Sequence, residues 1–185
     1  MLLRKAKQKK SKILSFLTRK SSFVRDENGV TAVEFGILAF PFFIVLAAIV
    51  ETALVFFASQ AMDNAVDDAV RLLRTGQAQS AGFTATEFRA KIHQESVGIL
   101  KLDKIKVYVR EISSFTAATP IDPLDVDGDW EVAEIYDDGV GSSIIIAEAY
   151  YKWPMLTSFV SLNMFNAGNG YRLLGAARVW RNEPF

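Results

Sequence analysis

Residues 35–58 read FGILAFPFFIVLAAIVETALVFFA, an apolar run of 24 residues in which Glu51 is the only charged side chain. At a rise of about 1.5 Å per residue, a helix of this length spans roughly 36 Å, which exceeds a hydrocarbon core of about 30 Å. A buried core helix of a soluble domain rarely runs so far with so few polar residues. The run therefore predicts a helix that crosses a membrane once.

The charges on the two sides of this run differ in sign. Residues 1–25 carry nine lysines or arginines and no acidic residue, whereas residues 30–185 carry 12 basic and 19 acidic residues. Because Lys and Arg stay on the cytoplasmic side, the N-terminus is expected in the cytoplasm and residues from about 65 onward outside it. A basic arm could instead bind nucleic acid, but a membrane span directly behind it favours anionic lipid, so no nucleic-acid partner is expected. A cleaved signal peptide would have a shorter apolar region of about 7–15 residues.

The junction before the span reads RDENGVTAVEF from Arg25 to Phe35. A polar stretch ends at Gly29, Glu34 follows five residues later, and the aromatic Phe35 comes next. This pattern resembles the prepilin-peptidase site of type IV pilins and pseudopilins, and in particular the G-x4-E-[FY] form of tight-adherence (Tad) pilus proteins. The resemblance implies cleavage after Gly29, which leaves Val30 as the mature N-terminus.

Three further residues of this helix are candidates for a role. The new amine of Val30 would be positive in apolar surroundings and needs a partner, which Glu34 at i+4 can supply within the chain or to a neighbouring subunit. The family resemblance implies the pairing between subunits, and the alternative is an uncleaved signal anchor with an incidental Glu34. Pro41 is expected to kink the helix. Glu51 is an intramembrane acid and a functional candidate, which we interpret as lying near the outer interface, solvated or protonated.

Beyond the span, helical spacing of apolar residues predicts one helix from Thr31 to Arg74, stopped by Gly76. A linker is expected at 77–82, followed by a helix at 86–95 with Phe88, Ile92 and Val97 inward and His93 on a solvated face. Strands are predicted at three segments: 104–110, 143–153 and 171–180. The apolar segment 155–165 is a short helix or a membrane-facing loop. The expected fold is α+β, with a long pilin-like transmembrane helix and a small α/β domain whose antiparallel sheet has about three strands.

These segments predict a leader at 1–29, a long helix at 30–75 and a periplasmic domain at 76–185. The tail RVWRNEPF and the DAVR stretch at 68–71 also resemble TadE-like proteins. The chain is too long for the major Tad pilin, so the resemblance implies a minor pseudopilin of the inner membrane. Its implied partners are other pilins, the prepilin peptidase and the assembly platform. The alternatives are an uncleaved envelope binding protein and a minor pseudopilin of type II secretion.

An acidic segment at 123–134 partly overlays an EF-hand loop. Its weak calcium candidates are the carboxylates Asp125, Asp127, Asp129 and Glu134, but Pro123 stands where the anchoring aspartate belongs, so a solvated acidic turn is expected. The chain has no cysteine and one histidine, which excludes a disulfide framework and thiolate metal sites and leaves no recognisable catalytic grouping. We therefore expect no enzyme and no other cofactor.

Overall fold

The computed structural model describes residues 27–156, residue 167 and residues 170–185. Two predictions fall largely outside that set, namely the basic leader and the short helix or membrane-facing loop at 155–165. The chain divides into two compact units, Met1–Ala48 and Ile49–Phe185, which are described separately.

The main helix, α1, runs from Glu27 to Arg74 and holds Pro41 in its interior. It begins four residues before the predicted start at Thr31, so Gly29 is helical and not part of an extended segment. The helix ends as predicted before Gly76, whose φ of 75° lies in the left-handed region that glycine adopts without strain. In the first unit, α1 presents mainly exposed apolar side chains.

In the second unit, one face of α1 packs onto a sheet. Its buried residues recur every three or four positions, as an amphipathic helix requires: Glu51, Val55, Ala58, Met62, Ala65, Val66, Ala69, Val70 and Leu73. Three of these are alanines, whose small side chains allow the helix backbone to approach the sheet closely. The opposing core surface includes Val107, Ala147, Ala149 and Ala176.

The sheet has four strands in the order β2-β1-β3-β4. They are β1 at Ile105–Ile112, β2 at Ile135–Tyr136, β3 at Ile144–Pro154 and β4 at Tyr171–Arg181. β3 pairs antiparallel with both β1 and β4, whereas β2 pairs parallel with β1. The α+β fold is confirmed, but the sheet is mixed and four-stranded where an antiparallel sheet of about three strands was predicted. The two residues of β2 are too few to produce an alternating sequence pattern.

The segment between α1 and β1 contains two short helices, α2 at Gln77–Ser80 and α3 at Ala85–Glu95. The expected linker at 77–82 is therefore partly helical. A capping box between Thr84 and Glu87 starts α3 and satisfies its first backbone N–H groups. Its inward residues Phe88 and Ile92 are buried as predicted.

Two predictions for the end of α3 were wrong. Val97 is exposed, because the helix ends at Glu95 and the chain turns through a φ of 53° at Val97. His93 is half-buried rather than on a solvated face, and its Nδ1 lies 2.6 Å from the carbonyl oxygen of Leu100. The ring therefore contacts the chain that leads from α3 into β1.

Candidate assembly surface

The expected processing site lies in the first turns of α1. Gly29 and Val30 are helical, and a Cβ placed on Gly29 would meet no atom within 4 Å. Val30 and Glu34 are both exposed and lie one turn apart on the same face of the helix. The spacing needed for pairing an amine on Val30 with a carboxylate is thus present in the helix.

α1 exposes large apolar side chains from Val30 to Val50. They point in all directions around the helix, because consecutive positions are exposed: Val30, Val33, Phe35, Ile37, Leu38, Phe40, Phe42, Phe43, Val45, Leu46, Ile49 and Val50. A soluble monomer rarely exposes so large an apolar surface. Within the described part of the chain, one helix is long and apolar enough to cross a membrane, and it covers Gly29–Arg74. This helix fits a single-pass membrane anchor.

Glu51 does not face solvent. Its side chain is 2% exposed, and its Oε1 accepts a hydrogen bond from the backbone N–H of Leu156. The interpretation of Glu51 as a solvated residue is therefore wrong. The Glu51 carboxylate thus satisfies the backbone N–H of Leu156, which lies just beyond the end of β3. The side chain of Leu156 is 74% exposed.

An ion-pair cluster joins α1 to the edge strand β4. The Arg178 guanidinium contacts both Asp67 carboxylate oxygens, with Nε at 2.5 Å and Nη2 at 3.1 Å, and Nη2 also lies 3.1 Å from Asp63. Hydrogen bonding to Arg178 holds the pKa of the Asp67 carboxyl below its ordinary value, and the two carboxylates raise the pKa of Arg178. Sequence reasoning missed this cluster. Its only signal was the pair of aspartates at i and i+4 on one helix face.

The C-terminal tail covers the end of α1. The backbone N–H of Glu183 donates to the carbonyl of Arg74 at 2.9 Å, which satisfies one of the carbonyls that a helix end leaves unpaired. The Phe185 ring lies directly over Gly76, where a Cβ would come within 2.6 Å of the ring. Asn182 fastens the tail by donating to the carbonyls of Asp138 and Val140.

Comparison with known families addresses the helix just described. Residues 29–71 match the family model for TadE-like protein. This helical segment is TadE-like. The match begins at Gly29 and ends near the close of α1, which confirms the resemblance seen in the sequence for those residues. None of the curated proteins and none of the solved structures compared with the chain matches it.

The TadE-like match covers 43 of the 185 residues, so it describes the helical segment and not the whole chain. The matched residues include the whole exposed apolar surface and both aspartates that bind Arg178, but no part of the sheet. The match therefore says nothing of the sheet domain.

Outside the TadE-like segment, the acidic segment 123–134 is held by its own backbone. Asp125 Oδ1 accepts from the N–H groups of Asp127 and Asp129 at 2.9 and 2.8 Å. Glu134 instead accepts from the Val107 N–H at 3.0 Å and from Arg89 at 2.6 Å. Among the described residues, no group of three or more His, Asp or Glu side chains could hold a metal ion. This geometry gives no support to a calcium site.

Proposed function

We propose that the chain is a minor pseudopilin that helps to build a tight-adherence pilus from the bacterial inner membrane. One observation carries the proposal: the TadE-like match starts at Gly29, in the first turn of a helix that exposes apolar side chains on all sides as far as Val50. Such a surface is stable in lipid or against other helices of the same kind. The proposed role requires no catalytic group and no cofactor.

The proposed topology follows from charge. The leader, residues 1–29, stays in the cytoplasm because its basic residues resist translocation, and residues 76–185 form a periplasmic domain. Removal of the leader after Gly29 discards nine basic residues and leaves a mature chain with 12 basic and 19 acidic residues, a net charge of −7. The leader thus sets orientation and is absent from the assembled subunit.

Processing and assembly use different residues in this proposal. Gly29 gives the prepilin peptidase access because it carries no side chain, provided that the first turn of α1 unwinds at the scissile bond. Glu34 then compensates the positive amine of Val30, either within the subunit or in a neighbouring pilin, since an isolated charge in apolar surroundings is costly. The partners are therefore the peptidase first, and other pilins and the assembly platform afterwards.

Two substitutions separate these steps in cells that make the pilus. We expect Gly29→Asp to block leader removal, seen as a larger band in membrane fractions, whereas Asn28→Asp adds the same charge one residue earlier and is processed. We expect Glu34→Ala to be processed but to lower the number of pili seen by electron microscopy. Normal piliation with Glu34→Ala would remove the charge-pairing step, and normal processing of Gly29→Asp would contradict cleavage at this bond.

A further inference from the structure

Two opposite faces of α1 differ in their surroundings between Glu51 and Ala58. On one face Glu51, Val55 and Ala58 are buried against the sheet domain. On the other face Leu54, Phe56 and Phe57 are exposed. Both faces belong to the same two helical turns, so they lie at the same depth with respect to any membrane that the helix crosses.

The exposed face at this level is apolar and continues the apolar surface of the preceding turns. A phenylalanine ring is less stable in water than in an apolar environment such as lipid. Polar residues appear on the exposed side only from Gln60 onward. If the helix spans a membrane, lipid therefore reaches at least to Phe57, and the part of the domain that packs beside Glu51 lies at that depth too.

The end of the sheet at this level has the composition of a membrane interface. The pairing of β3 with β4 places Trp153 opposite Arg172 and Pro154 opposite Tyr171. Trp and Tyr concentrate where lipid meets water. Beyond them Leu156 is exposed, and its backbone N–H is satisfied by the buried Glu51 carboxylate.

We propose that the Glu51 end of the sheet domain is immersed in the headgroup and acyl boundary of the membrane, to a depth set by the helical rise between Glu51 and Phe57, about 9 Å. This inference rests on the proposed membrane insertion of α1. The occupant around the exposed side chains of Leu54, Phe56, Phe57 and Leu156 is phospholipid. One end of the sheet domain is then embedded in the membrane, and the domain is not separated from the membrane by a free length of helix.

The chain has no cysteine, so single cysteines can carry a nitroxide label at chosen depths. The full chain would be placed in vesicles of phosphatidylethanolamine and phosphatidylglycerol, and collision rates with oxygen and with a water-soluble nickel chelate measured by electron paramagnetic resonance. Leu156→Cys tests the proposal. The controls are Val140→Cys, which is similarly exposed at 69% near the other end of the sheet, and Phe40→Cys in the span at 70%.

We expect the labels at residues 40 and 156 to collide preferentially with oxygen, with the label at residue 156 at the shallower depth. The collision rate of the nickel chelate with the label at residue 156 should be several-fold below its rate with the label at residue 140. If the nickel chelate reaches residues 156 and 140 equally while residue 40 lies in lipid, the sheet domain is not immersed, although the helix is inserted in the membrane. Water accessibility at 40 overturns insertion itself. Shielding of 156 from both reagents indicates a protein contact and also overturns the proposal. Pro154→Cys, exposed at the same end of the sheet, repeats the test if Leu156→Cys does not fold.

Discussion

Glu51 is the residue at which the apolar run first becomes part of the folded domain. A carboxylate among apolar side chains is costly unless it is hydrogen-bonded. Here its oxygen accepts from a backbone N–H that lies 105 residues away in sequence. From the sequence we interpreted Glu51 as an intramembrane acid near the outer interface, solvated or protonated. A partner so distant in the chain carries no local pattern, which is why Leu156 could not be predicted.

Removing the Glu51 carboxylate is expected to destabilise the domain. Glu51→Ala leaves the Leu156 N–H without this acceptor, a loss that costs about 1–3 kcal/mol, whereas Glu51→Gln keeps an acceptor oxygen and should cost less. Thermal unfolding of the full chain in detergent, followed by circular dichroism, measures the difference. Glu111→Ala, at an exposed carboxylate on β1, is the matched control and should change little. Equal unfolding midpoints for all three variants would contradict a stabilising hydrogen bond between Glu51 and Leu156.

Gly76 is constrained in two ways, by its φ of 75° and by the Phe185 ring above it. Gly82 has a similar φ of 67°, but a Cβ there would meet nothing within 4 Å. Gly82→Ala should therefore cost only the backbone strain, about 1 kcal/mol, and Gly76→Ala should cost more because the ring must move. Adding Phe185→Ala should remove most of the excess. Unfolding midpoints of the three variants test this, and equal losses of stability for Gly76→Ala and Gly82→Ala would contradict the contact between Gly76 and Phe185.

At the scale of elements, sequence patterns located most of the fold. The alternation of residues 104–110 and the β-branched and aromatic residues of 143–153 and 171–180 predicted β1, β3 and β4 to within two residues at each end. β2 was missed because its two residues pair in parallel with a strand more than twenty residues earlier, which no local period signals. The start of α1 was placed at Thr31, just after the expected processing site, whereas the helix begins at Glu27.

The Arg178 cluster is an element-scale contact, since it fixes β4 to α1. The folded state keeps the Asp67 carboxylate ionised at lower pH than the unfolded chain does, because Arg178 lowers its pKa below the ordinary 3.8. The cluster therefore stabilises the fold fully above that value and less as pH falls through the lower folded-state value. Its contribution is at most about 1 kcal/mol because the groups are partly exposed.

We expect Arg178→Gln to lower the unfolding midpoint at pH 6, and the difference from wild type to close as the pH falls below about 3.8. Denaturant unfolding of the full chain in detergent across this pH range measures it. Lys104→Gln, at a half-buried lysine directly before β1, is a control for loss of one positive charge. A difference in unfolding midpoint between wild type and Arg178→Gln that stays constant down to pH 2 would contradict the role of Asp67.

At the scale of the whole molecule, the chain combines a TadE-like helix with a sheet domain that holds the helix from Glu51 onward. The sequence predicted the helix and the class of the domain from hydrophobic pattern and charge. The contacts that fasten the domain to the helix, at Leu156, Arg178 and Phe185, all join residues more than 100 positions apart and depend on the folded sheet. They could not be predicted from the sequence alone.

The central claim is that a TadE-like precursor is processed after Gly29 and retained by its helix. The most direct test is intact mass spectrometry of the protein extracted from membranes of cells with and without an active prepilin peptidase. We predict a mature chain that begins at Val30 when the peptidase is active, and a chain that retains the basic leader when it is absent. A chain that keeps Met1 and the leader in both cells would contradict the account.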